Sequence, residues 1–287
     1  MYQVRGQHAS CLGVGANAPT PYVQLAFYKA VSSMKKRREL MNKLLAAGTL
    51  LFLIVGAYAA YTAATLPNVA DLKTRNPATT ALMEQRAAAQ GVKVRPLRSW
   101  VSYNSISSHL RNAVLVAEDG AFFQHSGYDL DELKEALKKD WREKRFARGA
   151  STITQQLAKN LYLSTSKNPL RKIREFFIAR ELERHLGKQR IFEIYLNVIE
   201  WGNGVYGIGP AVQHYFGKSP GALLPEEAAV LAAMIPNPRS YSPARGLTPY
   251  LEKRKNELLK RLLRYQSLTR DEYDEAMGRK VVFRKAE

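Results

Sequence analysis

The chain has 287 residues, of which 46% are hydrophobic and 24% are charged, and this balance excludes a largely disordered protein. Its 44 Lys and Arg outnumber 25 Asp and Glu, and the net charge of +19 predicts an anionic partner: nucleic acid, acidic lipid headgroups or a phosphorylated substrate. The single cysteine, Cys11, excludes an intramolecular disulfide and a zinc site built from clustered cysteines.

The first predicted element along the chain is a membrane-spanning helix at residues 44–66. This stretch of 23 residues carries no charge, and a helix of that length crosses a hydrocarbon core of about 30 Å. The basic cluster Lys35–Arg38 precedes it, so the positive-inside rule places the N-terminus in the cytoplasm. We therefore expect a single-pass protein of the cytoplasmic (inner) membrane with a cytoplasmic tail (1–43), the membrane helix (44–66), a stalk or lead-in (67–96) and a periplasmic domain (97–287).

A cleaved signal peptide is the alternative interpretation of the same segment. Ala57-Tyr58-Ala59 has the small-x-small pattern of a cleavage site after an apolar run. The apolar stretch continues past this site to Leu66, which favours a retained anchor. Both interpretations export the C-terminal part, and we therefore expect no nucleic acid among its partners.

The exported part is predicted to be mainly α-helical, because no alternating strand pattern is sustained in it. Residues with a helical apolar periodicity, a capping box at Thr152 and prolines suited to first turns mark the individual helices. The predicted helices are Asp129–Arg142, Thr152–Leu161, Pro169–Leu186, Lys188–Val198, Pro225–Met234 and Pro249–Tyr265.

The first candidate for chemistry is the pair Glu118-Asp119, which follows the apolar run Ala113–Ala117. A carboxylate at the end of an apolar element is costly to bury, and burial would raise its pKa toward that of a general base. An acidic surface turn is the simpler interpretation of this local pattern when it is taken by itself.

Two basic patterns follow. Gly149 precedes the helix start at Thr152, where free backbone N–H groups favour anions, and Gln155 and Lys159 lie one turn apart on that helix. The stretch from Lys167 to Glu175 then places several cations on one side of the next helix. A capped core helix and a solvated helix with an Arg171–Glu175 ion pair explain much of these patterns without a binding site.

Taken in order, these patterns form a set that resembles a known family. The peptidoglycan glycosyltransferases of family 51 share four leading signatures, and similar residues occur here in the same order over roughly residues 97–265. They are Glu118-Asp119-x-x-Phe122-x-x-His125-x-Gly127, Gly149-x-Ser151-Thr152-Ile153-Thr154-Gln155-Gln156, Arg171-Lys172-x-x-Glu175 and Ile191-x-Glu193-x-Tyr195-Leu196-Asn197. Two positions depart from the family but keep charge or apolarity: Arg254-Lys255-Asn256-Glu257-Leu258-Leu259 stands for the usual Arg-Arg-x-x-Val-Leu, and Arg174 stands for a usual Lys.

The resemblance implies a lysozyme-like helical fold with a small mobile lobe near the membrane, which would include residues 131–148. It implies attack by the 4-hydroxyl of one lipid-linked disaccharide on the anomeric carbon of the growing chain, with inversion and loss of undecaprenyl pyrophosphate. By motif position, Glu118 is the general base and Glu175 the second catalytic carboxylate, while His125 is expected to support its motif. The expected substrate-binding residues are Phe122, His125, Ser151, Gln155, Gln156, Lys159, Lys167, Arg171, Arg174 and Asn197.

The resemblance also implies the ligands. Lipid II, the growing glycan strand and membrane lipids are the expected partners, and a divalent cation (Mg or Mn) is expected with the substrate diphosphate. No organic cofactor is expected, and no carboxylate cage that would hold a metal is recognisable in the sequence. The sequence does not decide whether the chain works in a cell-wall synthesis or division complex.

Three other functions compete with this interpretation. A lysozyme-like lytic enzyme must protonate a glycosidic oxygen and needs no phosphate cradle, which the density of Lys and Arg between residues 159 and 174 disfavours. An inert membrane-anchored cell-wall scaffold would tolerate Gln at both Glu118 and Glu175. A two-headed synthase is disfavoured, because Ser-x-x-Lys at residues 32–35 and 164–167 is not followed by Ser-Asp-Asn or Lys-Thr-Gly.

Overall fold

The computed structural model describes residues 21–128, 151–163, 165, 168–243 and 246–284. Within these residues the fold is mainly α-helical, which confirms the predicted fold class, and it contains one two-stranded antiparallel sheet. The chain divides into two units, residues 1–58 and 59–287. The predicted helix Asp129–Arg142 and the predicted mobile lobe at 131–148 lie outside the described residues.

The first helix, α1, runs from Pro21 to Ala64 and is longer than the predicted membrane segment. The basic cluster continues the helix instead of ending it, because Lys and Arg are good helix formers. Residues Val31–Ala64 include a span, with mean hydropathy 2.0, that is long and apolar enough to cross a membrane. The Phe52 side chain within it is 76% exposed, so this apolar surface is not covered by protein. Such a surface suits contact with lipid.

The segment after α1, for which the sequence predicts a stalk or lead-in at residues 67–96, is packed into the domain. Val69 and Leu72 are 3% and 7% exposed and belong to the hydrophobic core, and Met83 in the next helix is 4% exposed. The guanidinium of Arg190 also donates hydrogen bonds to the backbone carbonyl of Leu72 at 2.8 Å. A stalk would leave these groups in solvent. The packed elements are the 3-10 turn Ala70–Lys73 and helix α2, Ala81–Ala89.

Four helices carry the family-like signatures. Thr152 caps the second of them with a capping box completed by Gln155, as predicted, and Pro169 occupies the first turn of the third after the cap residue Asn168. The last three of these helices begin and end within one or two residues of the predicted positions, whereas the first was not predicted. They are α3 (Ser108–Glu118), α4 (Ile153–Tyr162), α5 (Pro169–His185) and α6 (Lys188–Val198).

The remaining elements enclose the helix α8, whose ten residues are all buried. A helix that is apolar nearly all round belongs in a core, and α3 and α10 pack against it. The hairpin β1–β2 was not predicted, because strands of three and two residues are too short to show alternation. These elements are β1 (Glu200–Gly202), β2 (Val205–Tyr206), α7 (Ile208–Phe216), α8 (Pro225–Met234), α9 (Pro238–Tyr241), α10 (Pro249–Arg264) and α11 (Arg270–Gly278).

Candidate active site

Glu118 is the last residue of α3, and its carboxylate is half-buried where that helix leaves the core. Burial raises the pKa of Glu118 above its ordinary value, and the neighbouring Asp119 carboxylate raises it further. A hydrogen bond from Gln156 and the positive charges of Arg254 and Lys159 lower it again, but burial is the largest influence. A carboxyl group whose pKa is raised in this way is suited to proton transfer near neutral pH.

Gln156 holds the Glu118 carboxylate in place. Its Nε2 donates to Glu118 Oε2 at 2.8 Å, and the Tyr195 hydroxyl donates to its Oε1 at 2.9 Å. Tyr195 is fully buried on α6, so its hydroxyl cannot turn toward solvent. Since both ends of the amide are bonded, the N–H group of Gln156 is directed at the carboxylate.

Asp119 joins the end of α3 to the start of α4. Its Oδ2 accepts from the backbone N–H of Ile153 at 2.9 Å, and its Oδ1 lies 2.9 Å from His125 Nε2. The other ring nitrogen of His125 accepts from Gly127 N at 3.2 Å, which leaves Nε2 as the donor to Asp119. The Gly127 carbonyl in turn accepts from the Thr152 hydroxyl at 2.7 Å. The first two signatures thus form one hydrogen-bonded unit, and His125 is part of that frame.

Glu175 is the second carboxylate, and it is only 3% exposed. Its oxygens pair with Arg171 Nη1 at 2.5 Å and with the Lys172 ammonium. Lys172 Nζ also reaches Ser151 Oγ at 3.1 Å and Gln155 Oε1 at 3.4 Å. One turn of α5 therefore brings two cations and a buried carboxylate to the start of α4, with a surplus of positive charge.

Lys159 and Arg171 line an open cleft of about 290 Å³ together with Gln156. Burial lowers the pKa of Lys159, while the charges of Glu175 and Glu118 raise it, so both carboxylates lie within electrostatic reach of its ammonium. Within the described part of the chain the Lys159 side chain makes no hydrogen bond. The cleft thus presents an unpaired cation close to both carboxylates.

Three predicted binding residues lie elsewhere. Arg174 Nη2 donates to the Thr65 carbonyl at 2.9 Å, just after the end of α1. Phe122 is fully buried among the aromatic side chains of the core, and Asn197 is fully buried with its amide bonded to the backbone of Val101 at 2.9 and 2.8 Å. In this structure these side chains support the frame of the site and do not reach the cleft. Lys167 lies outside the described residues.

Two residues near the site were not among the predicted site residues. Lys172 pairs with Glu175, whereas Arg174, which was predicted at the site, does not. Lys172 lies one helical turn before Glu175, and this spacing could have indicated the ion pair. Arg254, in the divergent fifth signature, lowers the pKa of Glu118 through its charge. Its Nε is buried and has no hydrogen-bond partner among the described residues. Only the packing of α10 against α3 brings this cation near the carboxylate.

The described residues do not fit a metal held by the protein. They contain no group of three or more His, Cys, Asp or Glu side chains that could bind an ion. The two oxygens of Glu175 are occupied by Arg171 and Lys172, and Asp119 is occupied by Ile153 and His125. We therefore derive no step through a divalent cation.

Comparison with known proteins identifies similar chains. A family model described as Transglycosylase matches residues 85–263. The biosynthetic peptidoglycan transglycosylase of Nitrosospira multiformis is 45% identical over 190 residues, which are 65% of this chain and 82% of that protein. The protein of the same description from Methylobacillus flagellatus is 50% identical over 169 residues, 58% of this chain and 72% of that protein.

A third relative and one solved structure extend the comparison. The biosynthetic peptidoglycan transglycosylase of Nitrosomonas europaea is 45% identical over 206 residues, 71% of this chain and 84% of that protein. A crystal structure of penicillin-binding protein 1A from Haemophilus influenzae matches 47% of this chain and 17% of that one at 31% identity. Its TM-score of 0.32 is too low to bear on the fold.

Proposed function

Since this chain belongs to the biosynthetic peptidoglycan transglycosylases, we propose that Glu118 is the general base of its glycosyl transfer reaction and that the cations around Glu175 hold the departing diphosphate. The chain is a peptidoglycan glycosyltransferase whose substrates are lipid II and the growing glycan strand. The candidate membrane helix at its N-terminus anchors it to a membrane. The remaining question is which side chains perform each step.

Glu118 takes the proton of the attacking sugar hydroxyl. Three features support this role. Glu118 lies at the end of α3, where that helix leaves the core, the pKa of its carboxyl group is raised, and its carboxylate accepts a hydrogen bond from Gln156. The 4-hydroxyl oxygen then forms the new bond to the anomeric carbon, and the bond from that carbon to the diphosphate oxygen breaks with inversion. The proton passes to Glu118, and the electron pair leaves with undecaprenyl diphosphate.

The leaving group needs positive charge more than it needs a proton. A diphosphate is already a stable anion, so preorganised cations lower the barrier by stabilising the charge that develops on the departing oxygen. Lys159, Arg171 and Lys172 supply such charges, and the buried Glu175 keeps the last two in position. Charge-assisted hydrogen bonds of this type are stronger than neutral ones.

We further propose that the protein is a single-pass protein of the cytoplasmic membrane, with its N-terminus inside and the residues after Leu66 outside. The basic cluster Lys35–Arg38 ahead of the apolar span supports this orientation. Substrates carrying a long lipid tail would then reach the cleft from the membrane.

The observation that carries the proposed mechanism is the half-buried Glu118 with its raised pKa, and its substitution tests it. Purified full-length protein in detergent is incubated with lipid-linked disaccharide-peptide, and polymer is resolved on a gel. Glu118→Gln should lower turnover by about 10²- to 10⁴-fold, the contribution of a general base, while substrate binding and thermal stability stay near wild type. Glu257→Gln, on the exposed face of α10, is the matched control and should keep full activity.

Two outcomes would contradict the mechanism. Turnover near wild type in the Glu118→Gln protein would remove this carboxylate from the reaction. Shortening of preformed glycan strands by the wild-type protein, without polymer formation from the lipid-linked substrate, would instead indicate a lytic enzyme.

A further inference from the structure

A second concave surface, distinct from the cleft between the carboxylates, lies beside the segment that joins α2 to α3. Two adjoining cavities of about 650 and 670 Å³ open there and share Arg95, Arg98 and Tyr206 among their lining residues. One wall is the extended segment 92–98, and the opposite wall is the hairpin β1–β2. We call this surface the lead-in groove. Cavities of this size accept ligands as large as a disaccharide with its substituents.

The lead-in groove is strongly basic and lacks compensating acids. Lys93, Arg95 and Arg98 are exposed along it and form no ion pair or hydrogen bond with any described residue. No Asp or Glu is found among the described residues that line the two cavities. Three unpaired cations that converge on one concave surface predict an anionic ligand with more than one negative group.

Arg86 connects the groove to the catalytic cleft, because its side chain lines both. Its Nε lies 3.5 Å from Glu200 Oε2, and Glu200 also accepts from the Gly204 backbone N–H at 3.4 Å at the tip of the hairpin. Burial and the Glu200 charge together raise the pKa of the nearby Tyr206 to about 12, so this ring stays neutral in the groove wall. The groove and the cleft therefore adjoin at Arg86, so a strand bound in the cleft would lie beside the lead-in groove.

We propose that the lead-in groove binds the glycan strand next to the reaction centre, with Lys93, Arg95 and Arg98 paired to carboxylates of its peptide stems. This inference rests on the proposed function, since the strand is the substrate or product of the adjacent cleft. Sugar rings with apolar faces suit the walls formed by Tyr206, Pro96 and Pro210, which are flat and rigid. Each peptide stem along such a strand carries carboxylates. Several stem carboxylates can therefore pair with the cations along residues 93–98.

A membrane surface is the other anionic partner that a basic groove could meet. Two features favour the strand: the cations lie in a concavity, which a flat layer of headgroups does not fill, and the groove shares Arg86 with the cleft that is proposed to bind the glycan. Binding in the groove would keep the strand attached between successive additions. The groove is thus expected to set the length of the product.

The test compares two double variants of the full-length protein in detergent. Arg95→Gln/Arg98→Gln removes two groove cations, and Arg261→Gln/Arg264→Gln removes two exposed arginines of α10 at the same spacing, outside both cavities. The probe is a soluble, uncrosslinked glycan strand that bears peptide stems, and the same strand after enzymatic removal of the stems. Affinity for each probe is measured, together with the length distribution of polymer made from lipid-linked substrate.

The groove variant should bind the stem-bearing strand at least about ten-fold more weakly, the effect expected of lost charge-assisted hydrogen bonds. It should bind the stripped strand as wild type does, make shorter polymers, and couple the first two substrate units at the normal rate. The α10 variant should match wild type in all four measurements. Glu118→Gln should show the reverse pattern, with no coupling but normal strand affinity, so failure of the base and failure of the groove are distinguishable.

Three results would overturn the proposal. Equal strand affinity in the groove variant, the α10 variant and wild type would show that the cations do not contact the strand. Unchanged strand affinity combined with weaker binding to vesicles of anionic phospholipid would assign the groove to the membrane. Loss of the first coupling step in the groove variant would place Arg95 and Arg98 in the reaction site itself.

Discussion

At the scale of single residues, the proposed mechanism depends on the environment of the Glu118 carboxylate. Burial raises its pKa, while Gln156 donates a hydrogen bond that favours the ionised form. The carboxylate must be ionised to accept a proton, so activity falls as the pH decreases through the raised pKa. The acidic limb of the pH profile should therefore lie above the titration range of an exposed glutamate.

Gln156→Met is predicted to move that acidic limb to higher pH. The substitution removes the hydrogen bond that lowers the pKa of Glu118 and keeps a side chain of similar length. The measurement is kcat/KM for polymerisation as a function of pH. Gln213→Met, at an exposed position of α7, is the control and should leave the limb in place. An unshifted limb in the Gln156 variant would mean that the titrating group is not Glu118.

Lys159→Gln is predicted to lower polymerisation by about ten- to a hundred-fold, because hydrogen bonds to buried charged groups contribute about 1.5–3 kcal/mol. Its ammonium is partly desolvated and unpaired among the described residues, so the substrate diphosphate gains a full interaction from it. Lys253→Gln, on the exposed face of α10, is the control and should have a small effect, since exposed ion pairs contribute roughly 0–1 kcal/mol. A soluble substrate with a shortened lipid tail removes the influence of membrane attraction. Equal losses in the two variants would show that the basic residues act only as a diffuse field.

At the scale of elements, the site depends on the joint between α3 and α4. Asp119 is 2% exposed and accepts from the first backbone N–H of α4, where the helix dipole favours a negative charge. The same carboxylate fixes His125, whose other nitrogen meets the backbone of Gly127. Gly127 has a φ of +91°, a conformation that residues with a side chain rarely adopt. This joint keeps the Glu118 carboxylate and the start of α4 in one rigid piece.

Asp119→Asn is predicted to lower both stability and activity. The asparagine amide has one oxygen, so it can accept only one of the two hydrogen bonds that the carboxylate accepts. Its NH₂ group then faces the other donor, and a buried polar group is left unsatisfied at a cost of about 1–3 kcal/mol. Thermal unfolding of the full-length protein should show a lower Tm, and polymerisation should fall with substrate binding retained. Asp274→Asn, in an exposed ion pair of α11, is the control and should leave both unchanged. An unaltered Tm in the Asp119 variant would mean that the hydrogen bonds of Asp119 do not contribute to the stability of the fold.

A second joint fastens the segment after the anchor to the domain. Arg190 donates to the carbonyls of Leu72 and Arg75 and pairs with Glu193 on its own helix. Its guanidinium also lies 5.2 Å from the centre of the Trp100 ring. One side chain of α6 therefore holds both ends of the segment that contains α2. This explains why a stretch rich in alanine and polar residues packs against the domain although only Leu82 and Met83 of α2 are buried.

At the scale of the whole molecule, the candidate membrane helix and the net charge of +19 both favour contact with the substrate. The substrate carries a lipid tail and a diphosphate, so an enzyme held at the membrane and attracted to anionic surfaces meets it at high local concentration. Three groups of basic residues are the cation cluster at Glu175, the lead-in groove and the cluster Lys35–Arg38 on α1.

A topology experiment tests the whole-molecule arrangement. A reporter that is active only outside the cytoplasm, fused after Glu287, should be active, and the protein should remain with membranes after a high-salt wash. The control is the same fusion with Lys35–Arg38 changed to glutamine, which should reduce the fraction of correctly oriented protein. Release of a soluble product that begins near Ala60 would instead establish a cleaved signal peptide.

The sequence by itself determined what depends on short stretches of chain. Helix ends followed from caps and prolines, as at Thr152 and Pro169, and the membrane helix followed from an uncharged apolar run. The order of the signatures determined the family. Glu118 and Glu175 were predicted as site residues because each falls within a few residues of its signature partners.

Only the tertiary structure decided which side chains meet across long distances in sequence. Arg174 and Lys172 lie two positions apart on one helix, yet one reaches Thr65 and the other reaches Ser151, because 3.6 residues per turn direct them to different faces. Gln156 and Tyr195 are 39 positions apart and share one hydrogen bond with no local signal. The lead-in groove likewise arises where residues 92–98 meet a hairpin too short to predict. Burial and packing, which are properties of the whole chain, made these assignments.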